Sequence, residues 1–189
     1  MSVKTGTQRL LKKARQIRYL LLDVDGVMTN GTLFFDESGR ELKGFSIYDG
    51  HGIVLLRTAE IGVGILSGRT SSVVSWRAKE LRIEDVYQGI HDKVAAYEII
   101  LKKHQLMDEE VAYVGDDLID LPVLRRAGLS IAVANAMDQV KKEVDWVTKR
   151  RGGEGAVREV IDFLLSAKSG KASREKVRRS NISRDHVHP

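Results

Sequence analysis

Asp23 and Asp25 stand two residues apart, directly after the apolar run Tyr19-Leu20-Leu21-Leu22. A buried strand ending there would carry both carboxylates into one polar pocket at its carboxyl end. Carboxylate oxygens suit a hard cation such as Mg²⁺, and a carboxylate beside such a cation can attack a phosphoryl group to give an aspartyl-phosphate. The same Asp-x-Asp pattern also forms turns and caps helices in surface loops, so the pair alone leaves both readings open.

Three further segments share the arrangement. Ile61 to Leu66 reads as a second buried strand and ends at Ser67-Gly68-Arg69, which offers a hydroxyl, a close-approach backbone N–H and a cation to one phosphate. Lys93 opens a helical stretch that runs to His104. Val111 to Val114 reads as another strand and ends at Gly115-Asp116-Asp117, with Asp120 one helical turn beyond. Taken singly, each has a structural alternative: Ser67-Gly68 as a capped turn, Lys93 as a solvated first-turn lysine, Asp116-Asp117 as helix caps. Taken together they set acid, acid, hydroxyl, lysine and acid at the carboxyl ends of separate strands, where open parallel sheets hold ligands.

The elements that must position these groups follow from the apolar pattern. Runs near 19–23, 61–66, 85–87, 111–114 and 129–133 alternate with amphipathic stretches. Such alternation predicts right-handed β-α-β units, hence an α/β, Rossmann-like parallel sheet with helices on both faces. One segment interrupts it: Thr32-Leu33-Phe34-Phe35 and Glu41-Leu42-Lys43-Gly44-Phe45-Ser46 flank Asp36-Glu37-Ser38-Gly39, a β-hairpin insertion near 32–46. Its exposed aromatics suggest a surface between subunits, with packing on its own domain as the alternative.

A chain of 189 residues with 42% hydrophobic content is long enough for one good core and short for two, which predicts a single domain over 1–165. No apolar run approaches membrane-spanning length, so no membrane partner is expected. The sequence has no cysteine, which excludes disulfides and thiol nucleophiles and is compatible with a cytoplasmic location. The first acidic residue is Asp23, and the basic start reads as a surface helix rather than a transit peptide. In residues 166–189, Lys168, Lys171, Arg174, Lys176, Arg178, Arg179 and Arg184 face only Glu175 and Asp185, so this segment holds the whole net charge of +5. That Ser-rich, apolar-poor tail is expected to be disordered. The neutral remainder gives no basic groove for nucleic acid.

The set Asp23-x-Asp25-Gly26, Ser67-Gly68-Arg69, Lys93 and Gly115-Asp116-Asp117-Leu118-Ile119-Asp120 resembles the four motifs of the haloacid dehalogenase superfamily of phosphohydrolases. A finer resemblance, over residues 15 to 165, is to its bacterial 3-deoxy-D-manno-octulosonate 8-phosphate (KDO 8-phosphate) phosphatase family. It rests on Asp25-Gly26-Val27-Met28-Thr29-Asn30-Gly31, Tyr48-Asp49-Gly50-His51-Gly52-Ile53, Gln88-Gly89, Ala112 to Asp120 and Gly152-Gly153-Glu154-Gly155-Ala156-Val157-Arg158-Glu159.

The resemblance implies a haloacid dehalogenase-like fold, and the gaps between motifs hold only the hairpin and one helix with its strand, so no cap domain fits. It implies Asp23 as nucleophile, Asp25 as acid and base, and Ser67, Gly68 and Lys93 as the groups that bind phosphoryl oxygens. Mg²⁺ would be held by the Asp23 carboxylate, the Asp25 backbone carbonyl and Asp116, with Asp117 and Asp120 behind them or balancing charge. For a sugar acid phosphate, Arg69 and Arg77 would meet the substrate carboxylate, and Ser46, Ile47, Tyr48, Asp49 and Gly50 would touch substrate from the hairpin side. Arg77 reads equally as a solvated helix residue. The family assembles as a homotetramer in which hairpins meet and a glycine-rich segment, here Gly152-Gly153-Glu154-Gly155, reaches toward an adjacent site. Relatives acting on nine-carbon sialic-type acids tend to carry Glu at the position of Arg69, which favours the eight-carbon substrate, while Val54 departs from the family's usual basic residue. The product would feed lipopolysaccharide inner-core synthesis in a Gram-negative bacterium. The alternatives are a phosphatase of the nine-carbon acids, one acting on proteins or nucleic-acid ends, and a non-catalytic oligomerisation domain of the same fold.

Overall fold

Tyr19–Leu22 (β1) is buried along its whole length because it lies at the centre of a parallel sheet with helices on both faces. The computed structural model describes residues 3–169. The other sheet strands are Gly62–Leu66 (β4), Asp85–Tyr87 (β5), Val111–Gly115 (β6), Leu129–Ala132 (β7) and Trp146–Val147 (β8), and Phe34–Phe35 (β2) pairs only with Glu41–Leu42 (β3). The order is β5-β4-β1-β6-β7-β8, with every pair parallel. Leu22 registers with Ile65 on one side and Val114 on the other. The chain leaves β1 toward β4 and later returns to β6, so the switch point of the sheet opens at the carboxyl end of β1, beside Asp23.

Helices Val3–Gln16 (α1), Ile47–Thr58 (α2) and Ala156–Lys168 (α7) pack together, Lys93–His104 (α4) packs with Leu121–Leu124 (α5), and Asp138–Lys141 (α6) forms one turn between β7 and β8. Right-handed crossovers running in opposite directions along the sheet put these two groups on opposite faces, with Ser72–Glu80 (α3) beside α2. The α4 helix starts where Asp92 accepts hydrogen bonds from Val94 N (3.0 Å) and Ala95 N (3.2 Å), and it stops at Gln105, which turns left-handed at φ 52°.

Strand β8 was not legible in the sequence, because two half-buried residues make too short an apolar run. The hairpin forms, but its ladder is limited to Phe34 with Leu42 and Phe35 with Glu41. One correction concerns the C-terminal end. The α7 helix continues through Lys168, with Ala167 buried and its carbonyl accepting from Arg15 Nε at 3.3 Å, so Ser166 to Lys168 belong to the folded body. The rest of the basic tail, from 170 onward, lies outside the described residues.

Candidate active site

The loop leaving β1 is tight: the Val24 carbonyl accepts from Val27 N (3.2 Å), Met28 N (2.9 Å) and Thr29 N (3.0 Å). Gly26 adopts φ +93°, and a Cβ there would stand 2.0 Å from Asp116 Oδ2. Only glycine lets the loop after β1 meet the loop after β6 so closely. Asp23, at the carboxyl end of β1, and Asp120 are both buried, and Lys93, the first residue of α4, reaches into the space between them. Its Nζ donates to Asp23 Oδ1 at 2.6 Å, to Asp120 Oδ1 at 2.6 Å and to Tyr113 Oη at 3.3 Å.

Asp120 is fully employed in holding this arrangement. Its Oδ1 also accepts from the Tyr113 hydroxyl at 2.5 Å, and its Oδ2 accepts from Asp116 N at 2.9 Å and Asp117 N at 3.1 Å. A carboxylate has about four acceptor positions, and all of them are occupied here. Asp120 therefore orients Lys93 and the Asp116 loop, although its oxygens lie within 4.8 Å of those of Asp23 and Asp116. Asp23 and Asp116 are the acids left with capacity for a cation.

The charges agree. Burial raises the Asp23 carboxyl to about 7, with Lys93 opposing the rise and Asp120 adding to it. Burial, followed by repulsion from Asp23, Asp120 and Asp117, raises Asp116 to about 8. Burial would lower the Lys93 ammonium, but Asp23 and Asp120 outweigh it and raise its pKa, keeping it charged. Three carboxylates around one ammonium leave a deficit of two positive charges, and the free donors are hard oxygens. The residues present fit a divalent cation such as Mg²⁺.

Ser67, at the end of β4, is buried beside this cluster's strand ends, and its Oγ accepts from Arg69 N at 3.4 Å. A Cβ on Gly68 would meet Ile119 Cδ1 at 3.6 Å and the Ile90 carbonyl at 3.8 Å, ordinary contact distances. Arg69 is held by Glu41 of β3, Nη2 to Oε1 at 2.9 Å, and its Nε is 3.7 Å from Asp25 Oδ2. Asp25 Oδ1 in turn accepts from Lys43.

The fold thus brings Asp23, Asp25, Ser67, Gly68, Arg69, Lys93 and Asp116 to one end of the sheet. The remaining expected residues lie at the start of α2 and on α3. Ser46 caps α2 by accepting from Asp49 N, and Ile47 and Tyr48 stand 82% and 71% exposed on its first turn. Asp49 is buried, and its Oδ1 accepts from Arg158 N at 2.7 Å, so it caps α7. Arg77 donates to Ser46 O at 3.3 Å and to Glu80 at 2.7 Å, lies 5.7 Å from the Phe45 ring centroid and packs against Gly50. These contacts tie α3 to the start of α2. The Gly152–Gly155 cluster is not a free arm either: Gly152 N donates to Asn135 Oδ1 at 2.6 Å, Asn135 Nδ2 donates to Gly26 O at 2.9 Å, and Gly153 N donates to Val27 O at 3.0 Å. It braces the loop after β1 of its own chain.

This constellation sits at the ends of β1, β4 and β6, and residues 60–161 match the haloacid dehalogenase-like hydrolase family. Over 158 residues the chain is 46% identical to the 3-deoxy-D-manno-octulosonate 8-phosphate phosphatase of Yersinia pestis, covering 84% of each protein. The chain belongs to that phosphatase family within the haloacid dehalogenase-like hydrolases. A crystal structure of a Yersinia pestis member superposes with a TM-score of 0.84 at 45% identity, over 85% of this chain and 87% of that one. A member from Moraxella catarrhalis, crystallised with magnesium, phosphate and KDO, superposes with a TM-score of 0.84 at 35% identity, over 93% and 98%. Within the family frame, four residues to which the motifs gave no role also lie at the site. Tyr113 hides in an apolar strand, Asn135 lies past the end of β7, and Glu41 and Lys43 share one face of a hairpin arm whose alternation was the only available signal.

Proposed function

We propose that the chain is a cytoplasmic, Mg²⁺-dependent phosphomonoester hydrolase that removes phosphate from KDO 8-phosphate through an aspartyl-phosphate on Asp23, in lipopolysaccharide inner-core precursor synthesis. Asp23 attacks phosphorus in line, the bond from phosphorus to the sugar oxygen breaks, and Asp25 gives its proton to that oxygen. Asp25 then takes a proton from the water that attacks the aspartyl-phosphate, which restores the Asp23 carboxylate and releases phosphate. Ser67 Oγ, Gly68 N–H and Lys93 Nζ bind the non-bridging oxygens and are already placed when charge develops. A bound Mg²⁺, held by the Asp23 and Asp116 carboxylates and the Asp25 carbonyl, would neutralise phosphoryl charge. Arg69 is the forked donor best placed for the substrate carboxylate, alongside its present partner Glu41.

The observation that carries this reading is the buried Asp23–Lys93–Asp120 cluster, with half-buried Asp116 beside it, in a chain 46% identical, over 84% of its length, to a protein named for that activity. Phosphate release with Mg²⁺ should be measured on eight-carbon and nine-carbon sugar acid phosphates, a phosphopeptide and a 3′-phosphorylated oligonucleotide. Strong preference for the eight-carbon compound is expected, and Asp23→Asn should abolish turnover without lowering the melting temperature. Release spread evenly over the panel would discard the substrate; an active Asp23→Asn variant would discard the nucleophile.

A further inference from the structure

The hairpin does more at the site than present an outer surface. Lys43, the residue after β3, has a side chain only 1% exposed, and its ammonium contacts Asp25 Oδ1 and lies 3.3 Å from Glu41 Oε1. Glu41 is fixed from the other side, by Arg69 Nη2 at 2.9 Å and by the Ser71 hydroxyl. Leu42, between the two, points outward and is 55% exposed, so strand alternation alone turns Glu41 and Lys43 inward. A buried lysine is tolerated only when paired, and the Lys43 ammonium, buried against the partly exposed Asp25 and Glu41, keeps one geometry, because any other rotamer leaves its charge without a partner. The hairpin is therefore bolted to the Asp25 loop and to the Ser67–Ser71 loop through polar contacts.

We propose that Lys43 is a positioning residue for Asp25. The inference rests on the phosphatase reading above and adds to it. Asp25 must present one oxygen to the leaving sugar oxygen and later to the attacking water, delivering a proton in the first step and recovering one in the second. The Lys43 contact takes up Oδ1 and fixes the side-chain torsions, which leaves Oδ2 for the proton. Arg69 Nε, 3.7 Å from Oδ2, is beyond hydrogen-bonding distance. Lys43 acts through Asp25, so its loss should slow turnover rather than weaken substrate binding.

The test is a double-mutant cycle of Lys43→Met and Asp25→Asn, read as kcat and KM for KDO 8-phosphate and for 4-nitrophenyl phosphate at saturating Mg²⁺. Lys43→Met is expected to lower kcat about tenfold to a hundredfold, part of the factor a positioned acid–base group supplies, with KM changed less than about threefold. Added to Asp25→Asn it should cost nothing further. Equal losses in both backgrounds, or a raised KM at unchanged kcat, overturn the proposal and make Lys43 a general structural or substrate-contacting residue. Thermal melting checks that each variant is folded; if Lys43→Met melts below the assay temperature, the cycle is run with Lys43→Gln, with the same outcomes decisive. Wild-type silence on both compounds sinks the phosphatase reading and Lys43 with it. Wild-type turnover of 4-nitrophenyl phosphate alone removes only the sugar acid, and the cycle still decides the role of Lys43.

Discussion

The side chains at the end of β1 carry more negative charge than the protein neutralises, and that imbalance has a measurable sign. Asp23 and Asp116 keep their protons in the folded state up to about 7 and about 8, whereas an unperturbed aspartate releases its proton at 3.8. Between those values the native state binds more protons than the unfolded chain, so metal-free stability falls as pH rises and levels off above the folded values. A divalent cation needs both carboxylates ionised, so its stabilising effect should grow over the same window. We expect the melting temperature without metal to fall between about pH 5 and about pH 8.5, and millimolar Mg²⁺ to flatten that slope. A slope unaffected by Mg²⁺ would show that this pair does not hold the cation. The residues in this balance were legible because each stands where an apolar run stops: Asp23, Ser67 and Asp116 at strand ends, Lys93 at a helix start. The structural partners of Asp49 and Arg77 were not legible, because a sequence shows what a side chain can bind, whereas the α7 N-terminus and Ser46 O come from distant positions.

Loops of this kind are held by elements that come late in the chain. The segment between β8 and α7 packs backbone to backbone on the loop after β1, and a Cβ on Gly152 would stand 1.7 Å from Gly26 O and 2.9 Å from Thr29 O. No rotamer relieves a clash between a Cβ and main chain, so Gly152→Ala must displace one loop. It should cost about 1–3 kcal/mol of stability. Activity should fall as well, since Gly26 separates Asp25 from Asp116. Gly6→Ala, in α1 with nothing within 4 Å of the added carbon, is the matched control and should be neutral or slightly stabilising. Comparable melting temperatures for the two variants would refute the brace. The sequence displayed the glycine cluster plainly but not its target. Long strands and helices show their period locally, whereas a contact between residues 26 and 152 depends on the closure of the whole sheet.

At the scale of the whole molecule, the described residues include no cap domain and leave apolar side chains of the hairpin uncovered. Phe34 is 51% exposed, Phe35 58% and Leu42 55%, all on a hairpin whose inner edge is polar and committed to the site. A two-pair ladder is marginal on its own in water. Its inner contacts fix where the hairpin stands, and a second copy covering its outer face would bury aromatic area at about 25 cal/mol per Å². The expectation is a homotetramer sedimenting at about four times the chain mass of 21.1 kDa, an assembly large enough to need interfaces of about 1,000 Å² or more. Replacing both Phe34 and Phe35 with lysine should shift the protein to smaller species in sedimentation velocity while leaving the circular dichroism of the α/β core unchanged. Because Glu41 and Lys43 join that hairpin to Arg69 and Asp25, dissociation should also lower kcat, and raising the protein concentration should restore part of it. A tetramer that survives the double substitution would move the interface to another face. Dissociation with full activity would mean that the inner contacts alone hold the hairpin in place, and that a single chain closes its own site.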